Sequence, residues 1–335
     1  MKKILMLAGA LAFLSACDDN TEEVKPGKHA IDLSQGEVAF IHKKGKTVEA
    51  FYRGKQVTLE LIEGQYVLSG DILVSEDELS FMAPPAGNGA NEESVGRTGG
   101  RWPGNTVYYN ISSSLPNKDR VYDAIAHWEA NTNLTFVQRT NQSDYITFRS
   151  GGGCSSSVGR VGGQQFINLA SGCSTGNTIH EIGHAVGLYH EHTRGDRDDF
   201  VNVNFNNIQS GYEHNFYTYI QRGTDGKDYT SSLDFGSIML YSSYAFSSNG
   251  QPTITKLDGS TFNTQRSQLS ADDINGINQM YPADGGDGGS EQYINGNWYT
   301  IDGVRVYRYY DKWWYYTESE GWREVVNVNG TWYYA

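Results

Sequence analysis

One stretch constrains this chain more than any other: His180 to Glu191, reading HEIGHAVGLYHE. It fits H-E-x-x-H-x-x-G-x-x-H without a gap. Histidines four residues apart leave the same face of a helix, so His180 and His184 can hold a single ion. Gly187 has no Cβ, so it can take positive φ, end the helix and swing His190 back toward that ion. Three neutral imidazoles leave a fourth position open, which is the pattern of a catalytic zinc site and not a structural one. Zn²⁺ there would acidify water and polarise a carbonyl, with Glu181 as the adjoining general base and acid. Five specified residues at fixed spacing match by chance in about one window in a million. His29, His42, His127, His192 and His214 lack such partners and read as packed or solvated; His192 adjoins the cluster.

Downstream residues narrow the class. Glu191, Arg194, Asp196, Arg197, Asp198 and Asp199 follow the third histidine, and SIMLYSSYAFS begins at Ser237. With CSSSVGRVGGQQFINLASGC before the motif and RSQLSADDINGINQMYP near the end, the stretch from Arg101 to Pro282 resembles the astacin peptidases, family M12A of the metzincin clan. The resemblance implies an α+β, two-lobed catalytic domain and a zinc-dependent endopeptidase acting on polypeptides. It makes Met239 the Met-turn residue, and Tyr241 a mobile zinc ligand and oxyanion stabiliser. It pairs Cys154 with Cys173, and it makes Glu191 the partner of a new N-terminus created by activation. Gln165 to Leu169 becomes the sheet edge to which substrate adds. Gly195 and Leu188 depart from the family's usual proline and phenylalanine, and neither removes a catalytic atom.

The chain begins with Lys2 and Lys3 before an apolar run ending in Leu-Ser-Ala-Cys17, so residues 1–17 read as a lipoprotein-type signal peptide acylated on Cys17. Residues 18–97 read as a pro-region in which VEAFYRG, VTLELIEG and YVLSGDILVS form short strands. Gly70-Asp71-Ile72 resembles the family's aspartate switch, which implies latency through Asp71 on the zinc. Pro84 to Gly100 reads as an exposed linker cut by an activating protease within about 86–98, with Arg97 as one candidate point. The catalytic domain takes 98–283, with Val121, Ile125 and Trp128 at helical spacing. A Gly-rich linker, 284–290, leads to a small aromatic β module, 291–335. Its Trp298, Trp313, Trp314 and Trp332 either stack on a glycan or cell-wall polymer or make the module's own core.

With 39 acidic against 26 basic residues, there is no basic footprint for nucleic acid. The expectation is an exported precursor, periplasmic or at the cell surface, held to the membrane only through lipid and released on activation. A cell-wall peptide hydrolase is the near alternative. A non-catalytic zinc scaffold presenting a carbohydrate-binding module is the distant one, and it needs neither Glu181 nor Tyr241.

Overall fold

The computed structural model describes residues 38–41, 43–83, 96–283, 297–301, 303–309, 312–328 and 331–335. The leader with Cys17, together with His29, His42, residues 84–95 and the Gly-rich linker, lies outside the described residues.

Alternating apolar residues in the N-terminal region give β1 (Lys46–Tyr52), β2 (Lys55–Ile62), β3 (Gln65–Leu68), β4 (Ile72–Val74) and β5 (Leu79–Ser80). Two-residue turns, Arg53-Gly54 and Glu63-Gly64, join the first three strands with positive φ at both positions. Such turns match the right-handed twist of the strands they connect. Ala50, Val57, Leu59 and Ile72 form one core that also takes in Val158 and Tyr189 of the central domain.

The central domain runs through β6 (Thr106–Ile111), α1 (Asp119–Asn131), β7 (Thr135–Gln138), β8 (Tyr145–Arg149), β9 (Cys154–Ser156), β10 (Gln164–Leu169) and α2 (Thr175–Ala185). It then passes through β11 (Val201–Val203), α3 (Tyr219–Arg222), β12 (Ile254–Lys256) and α4 (Ala271–Met280). α1 buries Val121, Ala124, Ile125 and Trp128, the i, i+3, i+4, i+7 stripe of a helix lying on a core. Trp128 donates its indole N–H to the Ile179 carbonyl of α2 at 3.1 Å, which locks the two helices together. Cys154 and Cys173 form a disulfide with Cα atoms 6.0 Å apart.

All these strands up to β10 join one mixed sheet in the order β5-β1-β2-β3-β4-β9-β10-β8-β6-β7. β10 therefore is not the edge expected of Gln165 to Leu169. It lies between β8 and β9, because the disulfide-tethered Cys154–Ser156 segment turns back antiparallel on it. β9 is the central domain's border strand, and β4 covers it through one parallel pair, Ile72 with Ser156. The central domain has two cores, one with Trp128, Ile179 and Met239 and one with Val201, Ile208, Phe216, Leu240 and Tyr241. Met239 and Leu240 belong to different cores, so the two meet within one peptide unit.

The C-terminal residues make a separate antiparallel meander: β13 (Asn297–Ile301), β14 (Val304–Tyr309), β15 (Lys312–Thr317), β16 (Gly321–Val328) and β17 (Thr331–Tyr334). Trp298, Tyr307 and Trp322 cluster on one face at 5.3–5.4 Å. Trp313 meets Tyr299 and Trp332 at 5.7 Å. The four tryptophans considered for sugar stacking are all half-buried, and three of them spend ring surface on neighbouring aromatics. Trp322 also donates to the Ala83 carbonyl at 2.8 Å, tying this sheet to the end of the N-terminal region.

Candidate metal centre

α2 starts at Ser174, whose hydroxyl accepts from the Asn177 N–H while the Asn177 side chain accepts from the Ser174 N–H. This reciprocal cap satisfies donors that the helix cannot pair internally. The helix ends after Ala185, and Gly187 follows with φ of 115°. A side chain there would strain that backbone and would also meet the Met280 methyl at 2.9 Å. The bend brings His190 back beside the helix, as the spacing requires: the three imidazole centroids lie 4.7–5.4 Å apart.

Two contacts fix the ring tautomers. His180 Nδ1 lies 2.8 Å from the Ile238 carbonyl and His184 Nδ1 lies 2.8 Å from the Leu188 carbonyl. A carbonyl only accepts, so both Nδ1 atoms carry hydrogen. Burial pulls His180 down to about 3 and His190 to about 4, so these rings are neutral. In His180 the lone pair then sits on Nε2 and faces inward.

What the rings face is Asp71. Ser69 and Gly70, with φ of 53° and 83°, make the turn between β3 and β4 and project its carboxylate into the cluster. His180 Nε2 is 3.3 Å from Oδ2, His190 Nε2 is 3.2 Å from Oδ1, and His184 Nε2 is 3.5 Å from Oδ1. All four residues are fully buried, and their ligand atoms lie within 4.8 Å of one another. Lone pairs and a carboxylate converging in a fully buried site repel unless a cation sits among them. A tetrahedron with metal–ligand bonds of about 2.0–2.1 Å has edges of about 3.3 Å, and the three aspartate–histidine separations fit such edges around one small divalent ion. Three nitrogens and one carboxylate oxygen are a donor set suited to zinc.

Glu181, fully buried, has neither carboxylate oxygen hydrogen-bonded. Burial, reinforced by the Asp71 charge, pushes its carboxyl well above the usual range. Met239 packs beneath, its sulfur beside Gly183 of α2. Tyr241 lies against His190 at 4.5 Å between centroids and stacks on His192 at 4.0 Å. Its hydroxyl donates to the Ser69 carbonyl at 2.7 Å. His192 is thus a packed residue, donating from Nε2 to the Asn215 carbonyl at 3.1 Å.

Glu191 turns away from the cluster. It accepts from the Asp234 N–H at 2.9 Å, burial pushes it up to about 8, and it borders a cavity of about 30 Å³ that Gly96 also lines. The acidic run behind it pairs as expected, Asp196 with Arg194 at 2.7 Å and Asp198 with Arg197 at 2.9 Å.

Arg97 does not fit an exposed cleavage point: it is fully buried, with its guanidinium wedged against Gly100 and Gly159. Its side chain donates to the Val158 carbonyl at 2.9 Å and its backbone N–H to Gly187 at 2.9 Å. Gly96 also pairs with Lys227, so the central domain is already built in from residue 96.

Sequence reasoning missed two supports. Ser69 has no motif of its own. Asp273 of α4 accepts from the Ser237 hydroxyl at 2.7 Å and the Ile238 N–H at 2.9 Å, which holds the carbonyl that orients His180. The only sequence signal for Asp273 is the Ser270-to-Asp273 helix-cap spacing.

Fold and site together define an α+β protein built around a buried cluster of three histidines and one aspartate that could hold a metal ion, with a free glutamate beside it. The chain belongs to the astacin family: the family model "Astacin (Peptidase family M12A)" matches residues 94–282. Blastula protease 10 of Paracentrotus lividus is 40% identical over 216 residues, 60% of this chain and 36% of that protein. Flavastacin of Elizabethkingia meningoseptica is 32% identical over 303 residues, 84% of this chain and 64% of its own length. Astacin-like metalloprotease toxin 1 of Loxosceles intermedia is 32% identical over 248 residues, 70% of this chain and 89% of the toxin. The chain thus spans between about a third and nine tenths of these relatives. Among solved structures, high choriolytic enzyme 1 of Oryzias latipes shares 35% identity over 52% of this chain and 88% of its own, with a TM-score of 0.49.

Proposed function

We propose that this chain is a zinc metalloendopeptidase made in latent form, with the stretch from residue 18 to a cut within 84–95 as its pro-region. The observation that carries the reading is the convergence of inward-facing imidazole nitrogens on Asp71, beside a buried and unpaired Glu181.

His180, His184 and His190 would hold the metal, with Asp71 as fourth ligand while the pro-region is in place. Bound there, zinc supplies Lewis acidity, which acidifies water and polarises a peptide carbonyl. Glu181 takes the proton of the attacking water and delivers it to the departing amine as the C–N bond breaks. It is suited to this because no other group competes for its oxygens. Tyr241, once its hydroxyl is released from Ser69, donates to the oxyanion that forms on the carbonyl. Met239 fills the floor and touches no substrate.

Latency in this reading has two parts in one segment. Asp71 takes the coordination position that water needs, and β4 takes the backbone edge of β9 that an extended peptide needs. Because residues 96 onward are integrated into the central domain, the activating cut falls within 84–95. The new N-terminus would then enter the cavity shared by Gly96 and Glu191. Lipid on Cys17 would place the precursor at a membrane, and the same cut would release the enzyme from it. Among the described residues no helix is long and apolar enough to cross a bilayer.

The test is casein hydrolysis by full-length chain and by chain cut within 84–95, with zinc measured in each. Activity in the cut form, silence in the uncut form and unmasked activity in uncut Asp71→Ala support the reading. A cut form that holds zinc and hydrolyses no casein overturns the general protease and turns attention to cell-wall peptides.

A further inference from the structure

Outside the metal centre, a group of charges lies where the N-terminal region meets the central domain, with Arg53, Glu78 and Arg97 buried and the Asp225 side chain 29% exposed. Arg53, in the turn between β1 and β2, is only 7% exposed. Its Nη2 donates to Glu78 at 3.1 Å and to the Val158 carbonyl at 3.3 Å, and its Nη1 faces Asp225 Oδ1 at 3.4 Å. From the other side Arg97 Nε faces Asp225 Oδ2 at 3.5 Å, and Arg97 Nη1 donates to the same Val158 carbonyl. The Tyr189 hydroxyl donates to Asp225 Oδ1 at 3.4 Å. One carboxylate of the central domain therefore lies between a guanidinium that precedes residues 84–95 and one that follows them. Burial pushes the Asp225 carboxyl up, but Arg97 and Arg53 more than offset this and hold it below its ordinary value.

The charges divide evenly between the two parts. Arg53 and Glu78 belong to the N-terminal region, and Arg97 and Asp225 to the central domain. Separation leaves a matched pair on each side, so no buried charge is stranded. Losing one side chain while the parts stay together does strand a charge. Such an arrangement suits a contact that must be tight and also reversible.

We propose that Asp225, held by the Tyr189 hydroxyl, and the Val158 carbonyl form a guanidinium-binding site whose ligand is Arg53. This site, separate from the metal centre, holds the N-terminal region as a bound polypeptide after the chain has been cut. The proposal rests on reading the residues from 18 to a cut within 84–95 as a removable pro-region. It adds that cleavage alone does not finish activation, because the severed piece must also leave this socket.

The test uses the full chain with a site-specific protease sequence placed within residues 84–95. After cutting, release of the N-terminal piece is followed by size exclusion across a urea series, a readout independent of peptidase activity. Arg53→Met and Asp225→Asn should each release the piece at lower urea, and about tenfold or more faster at fixed low urea. The double variant should release it no faster than the faster single variant. Release of Arg53→Met indistinguishable from wild type, or effects that multiply in the double variant, would overturn the assignment. A cut chain that sheds its piece yet hydrolyses nothing defeats the catalytic reading and leaves this one standing.

Discussion

The hydroxyl of Tyr241 donates to the carbonyl of Ser69 at 2.7 Å, two residues before the carboxylate that the three imidazoles surround. A single turn between β3 and β4 thus occupies both the metal cluster and the tyrosine beside it. On the proposed reading, removing that turn would free a coordination position and a phenol together.

Glu181→Ala removes a buried carboxylate beside the cluster, neither oxygen of which is hydrogen-bonded. The cut enzyme should keep its zinc and lose about 10²–10⁴-fold in kcat, the usual contribution of a positioned general base. Assay and zinc content on the same sample check this. Loss of both together would mean that Glu181 instead supports the site's structure.

Asp273→Ala leaves the Ile238 N–H and the Ser237 hydroxyl without their acceptor, which loosens the carbonyl that orients His180. Metal affinity should fall about 10–100-fold, as for other groups that orient a ligand. Chelator competition on the cut protein measures it, and an unchanged affinity would show that His180 needs no such support.

Reducing the Cys154–Cys173 bond, or replacing both cysteines by serine, opens a loop of sequence separation 19. On the loop-entropy model the loss is about 3 kcal/mol. Urea unfolding should show a lower midpoint with little change in slope. Because β9 begins at Cys154, protection of its amides from hydrogen exchange should fall with it.

His214 is buried, and burial lowers it from the ordinary histidine value to about 4. The folded chain therefore resists its protonation more than the unfolded chain does. Stability linked to this group is intact above about pH 6.5 and declines as pH falls toward about 4. His214→Gln should flatten that part of the urea-midpoint profile; an unchanged slope would assign the acid sensitivity to other groups.

The convergence of His180, His184 and His190 was legible in the sequence because its geometry is local: a helical turn and one glycine bend set all three rings. The strands around Gly70-Asp71 were legible as alternation, and α1 as a seven-residue stripe. Less was legible where distant segments meet. Nothing near Arg97 reveals that Gly100, Gly159 and Asp225 close around it, so a basic residue in a polar stretch reads as exposed. The order of β9 and β10 was missed for a related reason, since a three-residue strand carries little periodicity and its place is set by pairing. Asp225 and Ser69 have no local signal at all, because their roles exist only across the boundary between two regions.

β4 and β9 are joined by one residue pair, Ile72 with Ser156, although ten strands share the sheet. Each half is knit by longer ladders within itself, so the backbone seam is the sheet's narrowest point. Folding can then proceed in two stages, with the sequence-local hairpins of the N-terminal region forming while the central domain is still being made. The finished seam requires almost no backbone to be unmade when the halves part. A sheet that looks continuous is, in its hydrogen-bond connectivity, two sheets laid end to end.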